Sequence, residues 1–114
     1  MPRGTVDLNY AAGEAWLKNS ANGALLPVAL SQGELQLDFD RRQFTTQLEA
    51  ALPDGAHKLH AQGQITFQGD FFSDARNSSM NVSGVVAQQG KEAGYIFDSR
   101  LPVGSLYGAT YWKP

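Results

Sequence analysis

ELQLDFDRRQFTTQLEAALPDGAHKLHAQGQITFQ, residues 34–68, alternates apolar and polar side chains through three strand-length segments. Leu35, Leu37 and Phe39 share one parity, opposed by Glu34, Gln36, Asp38 and Asp40. Phe44, Thr46, Leu48, Ala50 and Leu52 then oppose Thr45, Gln47 and Glu49. After Pro53-Asp54-Gly55, Leu59, Ala61, Gly63, Ile65 and Phe67 oppose Lys58, His60, Gln62, Gln64, Thr66 and Gln68. Successive Cβ atoms of a strand point to opposite faces, so a period of two predicts half-buried strands. Asp54-Gly55 offers a positive-φ pair for a tight hairpin.

Outward from this core the same pattern continues. Thr5–Tyr10 predicts a first strand with Val6, Leu8 and Tyr10 on one face. Ala11–Gly13 reads as a break, and Glu14–Lys18 as a short second strand with Ala15 and Leu17 opposite Trp16. A helix over 10–18 competes, and Gly13 argues against it. Asn19–Gly23 is turn chemistry, and Pro27 inside Leu25–Leu30 predicts an edge or a pairing break. Gly69–Ser79 is the most loop-like stretch, with only one of Phe71 and Phe72 able to face a core. Strands are expected at Met80–Gln88 (Met80, Val82, Gly84 and Val86 inward), Glu92–Leu101 (Ala93, Tyr95, Phe97 and Leu101 inward) and Ser105–Lys113. In the last of these Leu106, Gly108, Thr110 and Trp112 oppose Tyr107, Ala109 and Tyr111. Turns fall at Gln89–Lys91 and Pro102–Gly104.

About eight strands at hairpin spacing predict an all-β protein, either a single antiparallel up-and-down barrel or a β-sandwich. The barrel is favoured because Gly63, Gly84, Gly94 and Gly108 fall inside strands, where glycine kinks let small barrels turn corners. The expected organisation is one barrel domain over 1–114, with N-terminal strands and a loop over 1–33 and the main hairpins over 34–112. A chain of 114 residues supports one modest core. Nine Lys+Arg against 11 Asp+Glu give a net charge of −2, without the basic patch a nucleic-acid partner requires. No cysteine is present, so disulfides and thiolate metal sites are excluded. No apolar run reaches the ~18 residues of a membrane helix, and no signal segment opens the chain. Met1-Pro2-Arg3 leads almost directly into strand-like sequence, which suggests an excised domain.

Leu37-Asp38-Phe39, its charged turn and the returning Phe44-Thr45-Thr46-Gln47-Leu48 resemble the hairpin that opens the barrel domains of transferrin-binding protein B and related bacterial surface lipoproteins. Gly84-Val85-Val86-Ala87 followed by Glu92-Ala93-Gly94-Tyr95-Ile96-Phe97 is similar to their glycine-rich hairpin. Gly104-Ser105-Leu106-Tyr107-Gly108 through Trp112 resembles barrel tails on FecR-type periplasmic proteins of Gram-negative bacteria. The likeness spans about residues 34–112. Ala87-Gln88-Gln89-Gly90 departs from the family's Gly-Pro insertion, and its lipid-anchored cysteine is missing. The resemblance implies a barrel and a periplasmic or outer-membrane-associated location. It implies no functional residue, because the family's binding loops have no counterpart here.

Chemistry-bearing residues are sparse. His57 and His60 fall on opposite faces of one strand, which prevents them from sharing a metal. His57, at the mouth of the apolar face, is the sole candidate for an axial haem ligand; a rim position is the plainer reading. Asp38 and Asp40 beside Arg41 and Arg42 suggest surface ion pairing, since the calcium-loop pattern is missing. No nucleophile elbow, zincin motif or phosphate loop occurs, and neither a catalytic residue nor a cofactor is indicated. The sequons at Asn77 and Asn81 read as coincidence. Tyr107 and Tyr111, outward on the last strand, mark a possible interaction surface toward a protein partner or a neighbouring domain. The expected function is a non-enzymatic interaction module of the envelope. The alternative is a lipocalin-like carrier of haem or an apolar molecule. Leu35, Leu37, Phe39, Phe44, Leu48, Leu59, Ile65, Phe67, Val82, Val86, Tyr95 and Phe97 are bulky enough to fill an eight-stranded interior, which favours the module.

Overall fold

The computed structural model describes residues 3–114, and Met1 and Pro2 lie outside the described residues. Eight antiparallel strands form a closed barrel in which each pairs with its sequence neighbours and the last with the first. They are β1 (Thr5–Asn19), β2 (Leu25–Asp38), β3 (Gln43–Leu52), β4 (Gly55–Ile65), β5 (Asp70–Ser73), β6 (Asn81–Val86), β7 (Ala93–Leu101) and β8 (Gly104–Lys113). Two short 3-10 turns, Ala75–Asn77 and Gln88–Gly90, are the helical elements of the described chain.

The predicted break at Ala11–Gly13 is a bulge inside one continuous strand. Register against β8 shifts between Tyr10 and Ala12, so the inward parity passes from Leu8 to Ala15 and Leu17. An extra residue in one strand bends it without ending it. β2 does the same between Ser31 and Glu34, with Gln32 at φ 49°, and its inward set passes from Val28 to Leu35 and Leu37. Pro27 pairs with Trp16 of β1, while pairing to β3 begins only at Ala29. The proline thus sits on a locally open edge, where a missing N–H costs no ladder bond.

Two hairpins at one end share a Leu-Pro-X-Gly turn. Leu52 pairs with Gly55 and Leu101 with Gly104. Gly55 alone supplies the positive φ of the first turn, at 126°; Asp54 does not join it. Gly69–Ser79 is less loop-like than its composition suggests. Asp70–Ser73 is β5, with Phe71 buried and Phe72 exposed. The remainder docks along β4: Asp74 N and Ser79 N donate to Gln62 O and His60 O at 2.7 and 2.8 Å. The Ser79 and Ser78 hydroxyls in turn accept from His60 N and Gln62 N at 2.9 and 3.1 Å. Two serines therefore continue a strand that is only four residues long.

Phe67 corrects the expected interior. β4 ends at Ile65, and a turn closed by Thr66 N to Asp70 O at 2.7 Å takes over. Once the ladder stops, parity no longer holds. Phe67 is 75% exposed and lies under the Arg42 guanidinium, 4.1 Å from ring centre to carbon. Asp38 and Asp40 do not pair with Arg41 or Arg42 either. Asp38 Oδ1 accepts from Arg41 N and Asp40 Oδ1 from Gly4 N, each at 3.1 Å, so the carboxylates fasten backbone at the hairpin and the N-terminal segment.

Every other residue of the predicted interior is buried or packs against the core. Trp112 is fully buried, stacked on Tyr95 at 5.4 Å and met edge-on by Tyr10 at 5.7 Å. Phe44 and Phe71 pack at 4.9 Å, and Phe71 abuts Tyr95. Gly33 makes room for the tryptophan, since a Cβ there would stand 2.8 Å from Trp112 Cη2. The buried polar groups are paired within the core. Trp112 Nε1 donates to Thr110 Oγ1 at 2.7 Å, which donates to Tyr95 O. Thr46 Oγ1 donates its one hydrogen to Glu34 O at 2.8 Å, so the Tyr95 hydroxyl is the donor in its 2.9 Å bond to Thr46.

Candidate functional site

With the interior occupied by side chains, the outer surface is what the barrel offers to other molecules, and it has two unlike halves. Across β2, β3 and β4, the outward residues are Gln36, Thr45, Gln47, His60 and Gln62, joined by Asp7 and Asn9 of β1. They line an open polar groove of about 580 Å³. Its carboxylates are already engaged: Gln36 Nε2 donates to Asp7 at 3.0 Å and Gln47 Nε2 to Glu34 at 2.9 Å. Among the described residues no three His, Cys, Asp or Glu side chains converge as a metal site would require.

The other half, from β5 through β8 to β1, is apolar. Strand register sets Phe72, Ser83, Ile96 and Ala109 side by side, with Glu14 at the end of the row. Toward one end lie Val85, Gly94, Tyr111 and Ala12; toward the other, Asp98, Tyr107 and Trp16. Ile96 is 62% and Val85 57% exposed, and Trp16, Phe72, Tyr107 and Tyr111 are each two-fifths exposed or more. Ser83, Gly94 and Ala109 carry little or no side chain, leaving a shallow hollow of about 430 Å³ bounded by Phe72, Val85 and Ile96.

Tyr107 and Tyr111 lie on this half, outward on β8 as their parity predicts. The Tyr111 hydroxyl donates to Glu92 Oε1 at 2.6 Å, and that bond chiefly raises its pKa. Sequence reasoning did not join Trp16, Phe72, Val85 and Ile96 to the two tyrosines. Val85 and Ile96 did carry a signal, as large apolar residues on an otherwise polar parity. What gathers them into one face is cross-strand register, which a single strand's pattern does not contain.

His57 stands at the barrel end that carries the two Leu-Pro-X-Gly turns, its Nε2 2.8 Å from Asp54 Oδ1. His60 faces the polar groove. No helix of the described residues is long and apolar enough to cross a membrane.

No protein-family model matches the chain, and a search of curated proteins finds no match. Among solved structures, a double mutant of the vaccine antigen transferrin binding protein B from Haemophilus parasuis Hp5 shares the fold. It matches with a TM-score of 0.65 and 16% identity over 99% of this chain. The chain spans 26% of that protein's length. A looser match, TM-score 0.39 and 11% identity over 90% of this chain and 72% of the other, is to the siderocalin Ex-FABP. The first likeness is one of fold; the second is too distant to bear on it.

Proposed function

We propose that this barrel is a non-enzymatic interaction module of the bacterial cell envelope that engages a protein through its outer surface. One observation carries the reading: the interior is filled by Trp112, Tyr95, Phe44, Phe71 and Phe97, while an apolar face is left outside. An eight-stranded barrel either packs its lumen or holds one small ligand there. Here a haem or apolar molecule would have to displace the stacked Tyr95–Trp112 pair. A periplasmic or outer-membrane-associated location is supported by the fold likeness to transferrin binding protein B, a protein named for a protein partner. Membership of an iron-linked FecR-type sensor rests on the Gly104–Trp112 sequence likeness alone.

The two tryptophans allow a direct test, because Trp16 lies outside and Trp112 inside. In Trp16→Phe, titration with haem or a fatty acid is expected to leave Trp112 emission without a saturable change, and His57→Ala is expected to leave the absorption of added haem as it was. Stoichiometric quenching of Trp112 with a Soret shift lost in His57→Ala would establish a carrier.

A further inference from the structure

We infer that the polar half of the outer surface, across β1–β4, binds a neutral carbohydrate chain. That half plays no part in the protein-interaction reading. Leu8, Leu35, Thr46 and Ala61 pair in one line across the four strands, and all four are buried. Their side chains point inward, so only backbone floors the outer side of that line. On one flank the outward residues Asp7, Gln36, Thr45 and Gln62 wall it. On the other stand Asn9, Glu34, Gln47 and His60. The groove of about 580 Å³ is therefore a furrow that crosses the strands. Strand geometry makes it about 14 Å long and about 7 Å from wall to wall, room for a chain one sugar ring wide. A second furrow of about 290 Å³ shares Thr45 and Gln62 as one wall. Gln43, Gln64 and Phe72, in register, form its other wall, and Phe72 is half-exposed.

The lining chemistry selects the ligand. Among the described residues no Lys or Arg lines either furrow, so a phosphate, a sulfated chain or an anionic lipid headgroup finds no counter-charge there. Asp7 and Glu34 stand on opposite walls, each bonded to a glutamine amide rather than gathered for a metal. A peptide crossing the strands finds no free edge in a closed barrel, and no apolar pocket between these walls anchors its side chains. Neutral hydroxyls suit what is present. Gln36 Nε2 and Gln47 Nε2 each keep a second hydrogen, and the Asp7 and Glu34 carboxylates each keep a second oxygen. Each pair thus sets a donor beside an acceptor, as two adjacent hydroxyls of a sugar require. The bond within the pair orders both side chains beforehand, which lowers the cost of binding. Phe72, on the wall of the second furrow, adds a ring on which the C–H face of a sugar packs.

Heteronuclear NMR titration of the whole chain tests this, with maltohexaose, cellohexaose and the tetramer of N-acetylglucosamine as probes up to about 10 mM. At least one of the three is expected to give saturable shifts in the Gln36, Gln47 and Gln62 side-chain amides, with an affinity indifferent to added salt. Gln62→Ala and Phe72→Ala should each weaken that binding about tenfold without changing the circular dichroism spectrum. Ile96→Lys, on the apolar half, should leave it as it was, and heparin should shift none of these amides. No saturable shift with any of the three probes overturns the inference. So do shifts that survive both Gln62→Ala and Phe72→Ala, or heparin binding at these amides more tightly than the neutral chains. The apolar half and the Trp112 titration are independent of these amides, so carbohydrate binding can fail while the protein-interaction reading stands.

Discussion

Tyr95 concentrates the polar logic of the interior in one side chain. Its ring stacks on Trp112 while its hydroxyl donates to Thr46, and burial drives its pKa well above the ordinary value of 10.0. A folded pKa above the unfolded one means the unfolded chain loses this proton first. The neutral tyrosine's contribution is therefore complete below about pH 10 and falls away as pH rises beyond it. Urea melts between about pH 8 and pH 11 should show stability dropping at the alkaline end, and Tyr95→Phe should reduce that drop. At neutral pH the same variant should cost only about 0.5–1.5 kcal/mol, one hydrogen bond, because Thr46 keeps its bond to Glu34 O. An alkaline profile identical in both proteins would refute the buried-phenol account. Size matters more than polarity at Phe39, a residue only 4% exposed. Phe39→Ala should cost about 3–5 kcal/mol in the same melts, whereas Gln36→Ala, on the outer parity, should stay within about 0.5 kcal/mol. Equal costs would mean that Phe39, one residue past the end of β2, is not anchored in the core.

At the scale of elements, side chains complete what the strands leave unfinished. β5 pairs with β4 at only three positions, Gly63, Gln64 and Ile65. The Ser78 and Ser79 hydroxyls accept the amides of Gln62 and His60 that lie beyond it. Ser78→Ala and Ser79→Ala should each cost about 1 kcal/mol and speed hydrogen exchange at Gln62 and His60 respectively, as read by NMR. Exchange rates unchanged at both amides would show that the segment does not protect β4. This element also shows where sequence reading reaches its limit. Alternation was legible in β3, β4 and β7 because one face of each meets water and the other the core. At Tyr10–Ala12 the change of parity read as a break between two strands, where a bulge shifts the inward face within one continuous strand; the bulge at Ser31–Glu34 lies before the alternating stretch begins. Alternation misplaced Phe67, which lies two residues past the end of the ladder. β5 was hidden because serine and aspartate, read as loop formers, here serve as hydrogen-bond partners of a strand. Of the candidate surface only Tyr107 and Tyr111 were visible in advance. Trp16 reaches them through β1–β8 register, a contact between residues nearly a whole chain apart.

For the whole molecule, closure makes the position of the covalent break nearly arbitrary. Seven of the eight seams are hairpins between sequence neighbours, and the eighth joins β1 to β8 from Asn9–Lys113 to Asn19–Gly104. That last seam is as long as the hairpin seams beside it, so the fold should not depend on which seam carries the chain ends. Residues 5 and 113 lie at the same end of the barrel, with Lys113 level with Asn9. Returning from 114 to 4 covers about five residues of strand, roughly 17 Å, within reach of a Gly/Ser linker of about eight residues. The Asn19–Ala24 turn is exposed and carries no core side chain, the kind of tip where permutation is tolerated. A permutant so linked and opened between Asn22 and Gly23 should keep the β-type circular dichroism spectrum. Its urea stability should fall by no more than about 1–2 kcal/mol, since changes in loop length are entropically cheap. Deleting β8 has a different consequence: it leaves two open edges and removes Trp112, so that chain should not fold. A permutant unfolded in native buffer would show that β1 and β2 must be joined covalently, and that the seams of this barrel are not interchangeable.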